Sequence, residues 1–203
     1  MTGQWRLDAR SDVPGWLPVP ARPEDPDAWV VARRDEIAGA WGELDREQSD
    51  AVTALLRAGL ERRPVDAAFS FQLWPVPAPL VAQVDVWFGA APETLPGPEA
   101  GLQPYDAAGL GGGILRTRAV EDVATGITLI GTDIVFAAPE AAVVVSFEPT
   151  IPELHAMLSS QFHAFVQGLA FTGPDGAPVR APRPSGFLDA QADAEWPLDV
   201  VAR

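Results

Sequence analysis

The stretch GITLIGTDIVFAAPEAAVVVSFEPTIPELHAMLSSQFHAFVQGLAF, residues 126–171, decides the architecture. GITLIGTDIVFAA and AAVVVSFEP are rich in β-branched and aromatic residues, and Pro139–Glu140 between them marks a short turn. After Thr150 the apolar spacing changes from two residues to about 3.6. Leu154, Met157, Leu158, Phe162, Phe165, Val166 and Leu169 then form a broad helical stripe. Thr150 with Glu153 predicts a capping box, and Pro152 suits a first turn. A strand hairpin running into an amphipathic helix predicts a sheet that the helix covers.

Upstream, the same two periods recur in the opposite order. DPDAWVVARRDEIAGAW carries a rough helical stripe through Trp29, Val30, Ile37 and Trp41. In LDREQSDAVTALLRAGLERR the positions Val52, Leu55, Leu56, Gly59 and Leu60 follow the helical repeat. Asp45 with Gln48 predicts the cap of that helix, with Ser49 as the other possible start, and Pro64 stops it. DAAFSFQLW and LVAQVDVWFGA then alternate as two antiparallel strands joined by the stiff PVPAP. Residues 89–113 read as a long irregular loop, and ILRTRAV as the strand that follows it. The expected fold is therefore α+β: a single domain with an antiparallel sheet of about five strands and helices packed on it, sandwich-like in α/β/α layers. Its expected limits are 29–173, preceded by a Pro-rich N-terminal arm, 1–28, and followed by a tail rich in Pro, Ala and acid, 174–203.

Composition narrows the function classes. The chain of 203 residues has 14 basic and 28 acidic side chains, a net charge of −14, and every basic residue other than the two histidines is an arginine. Such a surface repels phosphate backbones, and no arginine run is longer than the pairs Arg33–Arg34 and Arg62–Arg63, so nucleic acid is not the expected partner. The absence of cysteine excludes disulfides, thiolate catalysis and zinc–cysteine sites. No apolar run is long enough to span a membrane, and the N-terminus lacks a secretory pattern. A soluble, cytoplasmic bacterial protein is the expectation.

Motifs for chemistry are few. AGLGGGILRTR, residues 108–118, suggests a phosphate loop, but no lysine follows the glycines and the run leads into a strand rather than a helix. It reads as a flexible lead into that strand. His155 and His163 lie eight apart on the last helix, with Ser159 between them, and neither a zinc pair nor a G-x-S-x-G elbow is present. They read as solvent-face residues. Asp85 and Asp133, mid-strand among apolar neighbours, would form an acid/base pair if they shared a cavity, but strand alternation places Asp85 on a wet face. No catalytic residue, metal ligand or cofactor is expected. Among the seven tryptophans, Trp16, Trp74, Trp87 and Trp196, together with Phe187, are the candidate partner-binding residues. Cover by the arm or the first helix is the competing explanation for Trp74 and Trp87.

The order of helix, strands and the capped helix that closes the 126–171 stretch resembles the α/β/α sandwich of the PsbP-like proteins over residues 13–172. That resemblance is architectural and carries no site motif. It implies binding and assembly roles, as in the lipoproteins and effector chaperones of that group. The expected function is a non-catalytic accessory protein that binds another protein, such as a chaperone, adaptor or immunity-like protein. One alternative is an enzyme or small-molecule binder with a pocket under residues 89–113, served by Tyr105, Asp106, Arg116 and Arg118. Another is a structural subunit tied into an assembly by its arms.

Overall fold

The computed structural model describes residues 4–10, 15–92 and 101–187. Three helices form from local signals that are visible in the sequence. Helix α1, Pro26–Trp41, starts where the Asp25 carboxylate accepts the Ala28 N–H and proline fills the first position, and it stops at Gly42. Helix α2, Arg46–Arg62, starts at the expected reciprocal box between Asp45 and Gln48. Helix α3 spans Pro152–Gln167, but its cap is Ile151, with no side-chain bond to the helix. The predicted box fails because Thr150 remains in the preceding strand.

The sheet is antiparallel throughout and larger than expected. Seven strands are ordered β2 (Trp16–Pro18), β3 (Phe69–Leu73), β4 (Ala82–Gly89), β8 (Ala142–Thr150), β7 (Ile127–Ala137), β6 (Gly111–Asp122) and β5 (Leu102–Ala107). A separate ribbon pairs β1 (Arg6–Ala9) with β9 (Leu169–Thr172). The extra strands of the main sheet lie at its edges. β2 is three residues ending in Pro18, and β5 carries Pro104, so both suit positions with one unpaired side. β5 lies within the stretch that reads as a loop, of which residues 93–100 fall outside the described chain.

The helices occupy both faces. On one face Leu154, Leu158, Phe162, Phe165 and Val166 of α3 pack on Val84, Val145, Phe147, Ile134 and Phe136. On the other, Val30 and Ile37 of α1 and Val52 and Leu56 of α2 pack with Leu17 and Trp74. The described parts of both arms belong to this packing. Leu7, Leu17 and Val19 are buried, and residues 177–183 run alongside the start of β6, where the Gly112 N–H donates to the Ala181 carbonyl at 2.9 Å.

That crossing accounts for the glycine run. At Gly111 the backbone has φ 87°, and a Cβ there would lie 2.2 Å from the Ala181 oxygen. A Cβ on Gly112 would lie 2.6 Å from the Arg183 backbone. The glycines are a close crossing of two backbone segments, and the expectation of a merely flexible lead is corrected.

Candidate functional site

A cavity of about 180 Å³ opens between α3 and the β5–β6–β7 side of the sheet. Strand alternation and register put its wall together. Leu115 faces Ile134 across the β6–β7 ladder, Thr117 faces Thr132, and Thr132 faces Phe147 on β8. Helix α3 closes the cavity with His155, Ser159, Phe162 and His163, which recur at helical spacing. Tyr105 on β5 completes the mouth. It stands opposite Gly113, and the missing side chain there lets the Phe136 ring sit beneath it, edge to face at 6.0 Å.

β5 is held against α3 by one side chain. The Gln167 amide donates to the Asp106 carbonyl at 2.8 Å and accepts the Ala108 N–H at 2.9 Å. This clamp positions Tyr105 so that its hydroxyl meets His163 Nδ1 at 2.7 Å. Deeper in, Thr132 Oγ1 and His155 Nε2 are 2.9 Å apart. Burial lowers the His155 pKa below the usual imidazole value of 6.5, which keeps the ring neutral at neutral pH. Burial also raises the Tyr105 phenol above 10.0. Ser159 is not activated, since its hydroxyl donates to the Ala156 carbonyl at 2.9 Å. The cavity has an apolar floor of Leu115, Ile134, Phe147 and Phe162, a rim of hydroxyls and imidazoles, and no carboxylate.

His155 and His163 are therefore not plain solvent-face residues. His163 is exposed but bonded to Tyr105, and His155 is half-buried in the cavity wall. Helical spacing alone put them on one flank, but nothing local in the sequence shows that β5 crosses that flank. Of the polar groups named for a pocket under residues 89–113, only Tyr105 lines the cavity. Asp106 pairs outward with Arg183 at 2.8 Å, and Arg116 and Arg118 lie on the opposite face of the sheet, both on Asp133.

That opposite face carries a polar row across five strands. Ser70, Asp85, Ser146, Asp133 and Arg116 stand side by side in register. Asp85 is only 6% exposed, and its expected place on a wet face is corrected: α2 covers that part of the sheet. Its carboxylate accepts from the Ser70 hydroxyl and, over longer distances, from the Gln83 amide. Desolvation raises its pKa above 3.8 despite those bonds and the nearby Arg63 and Arg62. Asp133 is half-buried and accepts from Ser146 at 2.8 Å. The two aspartates share a face with a serine between them, and neither lines the α3 cavity.

The aromatic candidates for partner binding are distributed differently. Trp74 is buried, edge to face with Trp41 of α1, so the first helix covers it. Trp16 is half-buried and stacks on Phe165 at 4.7 Å. Trp87 is half-buried, its indole N–H on Asp66 at 3.2 Å, and Phe187 is buried. Trp196 lies outside the described residues.

Among the described residues no group of three or more His, Asp or Glu side chains is placed to hold a metal, and no helix is long and apolar enough to cross a membrane. No protein-family model matches the chain, and no curated protein matches it in sequence.

Proposed function

We propose that this chain is a non-catalytic ligand-binding protein whose α3 cavity holds a small molecule with an apolar body and an anionic or acceptor-rich head. The observation that carries this reading is the convergence of Tyr105, His155 and His163, from different elements, on the rim of an otherwise apolar cavity. Small-ligand sites combine such apolar walls with a few placed polar groups. In a chain of net charge −14, a lining without a single carboxylate is the local exception. It favours a head group that accepts hydrogen bonds over one that donates them. A binding role fits better than catalysis because Ser159 is tied to its own helix and no carboxylate of the lining orients either imidazole as a base. It takes up the small-molecule alternative read from the sequence in place of a protein partner, and the PsbP-like resemblance stays a proposal about the fold that assigns no ligand.

The test is an NMR titration of the full chain with benzoate and hexanoate, and with their neutral amides, following the ring protons of His155 and His163. The expected result is saturable shifts of both rings, with the carboxylates binding more tightly than the amides. Shifts that never saturate, or an equal response to acid and amide, would refute the reading.

A further inference from the structure

The polar groups of the α3 cavity stand at two stations. Thr132 with His155 forms one, and Tyr105 with His163 forms the other. His155 and His163 are eight residues apart on α3, a rise of about 12 Å along its axis. The sheet repeats that spacing. Thr132 lies four residues from Phe136 on β7, the ring beneath Tyr105, which is about 13 Å of strand. Between the stations runs the rung of Leu115 and Ile134, and Phe162 lies between the two histidines on α3. The middle of the cavity is therefore apolar and its ends are polar. Neither pairing exhausts its station. Each uses one ring nitrogen of the histidine, and each hydroxyl oxygen keeps a further lone pair. When Tyr105 donates to His163 Nδ1, its oxygen can still accept from a ligand.

A volume of about 180 Å³ sets the size of the ligand's body. An apolar cavity of about 150 Å³ holds one benzene ring. Hydrogen bonds of about 2.8 Å at both stations leave about 6 Å between the ligand's own polar atoms. That is the distance across one ring with substituents on opposite corners. A ring also holds its substituents apart without the ordering cost of a flexible chain. Taking this cavity as the ligand site proposed above, we infer that it takes a single aromatic ring with a carboxylate and a hydroxyl in para relation. The carboxylate meets Thr132 and His155, and the hydroxyl donates to the Tyr105 oxygen. Phe162, stacked on Phe147 at 4.1 Å, gives the ring an aromatic wall.

The test is a calorimetric titration of the full chain with para-hydroxybenzoate, meta-hydroxybenzoate, para-methylbenzoate and benzoate. In para-methylbenzoate a methyl group of similar size replaces the hydroxyl. The para-hydroxy acid should bind at least about fivefold more tightly than either the methyl isostere or the meta isomer. Tyr105→Phe should remove the preference for hydroxyl over methyl. Its fold is checked by circular dichroism, and the isomer series on the unaltered chain decides the matter if it unfolds. Saturable benzoate binding with no gain from the para hydroxyl, or with equal affinity for the para and meta isomers, would overturn this inference and leave the ligand-binding reading standing. Failure of all four acids to saturate would overturn both. A preference for hydroxyl that survives Tyr105→Phe would overturn the assignment of the hydroxyl to Tyr105.

Discussion

Asp85 shows how much one side chain can carry in this fold. It is a carboxylate under a helix, with Ser70 and Gln83 as bonding partners, and its pKa is raised by burial. A raised acid binds its proton more tightly in the folded state than in the unfolded one. Its contribution to stability is therefore fullest below the unfolded value of 3.8 and is lost as pH rises past that value. Asp85→Asn should raise the melting temperature at pH 7 and have little effect in strong acid. Asparagine still accepts from Ser70, and its amide gains a partner if the Gln83 side chain turns, since Gln83 Oε1 is buried without one. A gain of roughly 1 kcal/mol is expected. His155 has the opposite sign. Its pKa is lowered by burial, so its contribution is complete above 6.5 and declines as pH falls below it. An anionic ligand in the α3 cavity would draw a proton onto His155. Carboxylate affinity should then rise as pH drops from about 7.5 to 5.5, and His155→Asn should remove that dependence, as read by calorimetry at each pH.

At the scale of elements, α2 and β3 are keyed together at Gly59. A Cβ there would lie 2.2 Å from the Gln72 amide nitrogen, which donates to the Leu55 carbonyl at 2.9 Å. In an exposed helix Gly→Ala gains about 1 kcal/mol. Here it displaces a fully buried amide from its acceptor, at a cost of about 1–3 kcal/mol. Gly59→Ala should therefore lower the melting temperature by a few degrees. The double change with Gln72→Ala should be less than additive, and thermal unfolding of the four proteins measures the coupling. Local signals made α1, α2 and the five inner strands readable, because caps and periodicity are properties of adjacent residues. The short strands β1, β2, β5 and β9 were not all readable in the same way. β5, with a glycine before it and a proline inside it, is a strand only because β6 lies alongside. The same limit hid the α3 cavity. His155 and Ser159 were visible as one helical flank, but Tyr105 reaches His163 across a separation that no local pattern encodes. Asp85 was misread because alternation predicts a wet face only where no helix covers it.

At the scale of the whole molecule, described residues on both sides of 29–173 pack on the domain: Leu7, Leu17 and Val19 before it, Ala181 and Phe187 after it. The segment after β9 is stitched back by Val179 N–H to the Phe171 carbonyl at 2.8 Å and by Ala181 N–H to the Leu110 carbonyl at 2.7 Å. Ala181 and Phe187 are buried. A chain ending at Thr172 should be destabilised by several kcal/mol and melt roughly 10 °C or more below the full chain. Differential scanning calorimetry would check this, and an unchanged melting temperature would show that the segment contributes nothing.

The β1–β9 ribbon has a mechanical consequence. Arg6 lies opposite Thr172 and Ala9 opposite Leu169, so the two flanks of the chain leave the ribbon at the same end. Tension on the termini, once the stitched segment has come away, would peel this clasp one rung at a time instead of shearing all its bonds together. Stretched from its ends, the protein should yield at low force, first by releasing the stitched segment and then by opening the clasp, while the seven-stranded sheet stays intact.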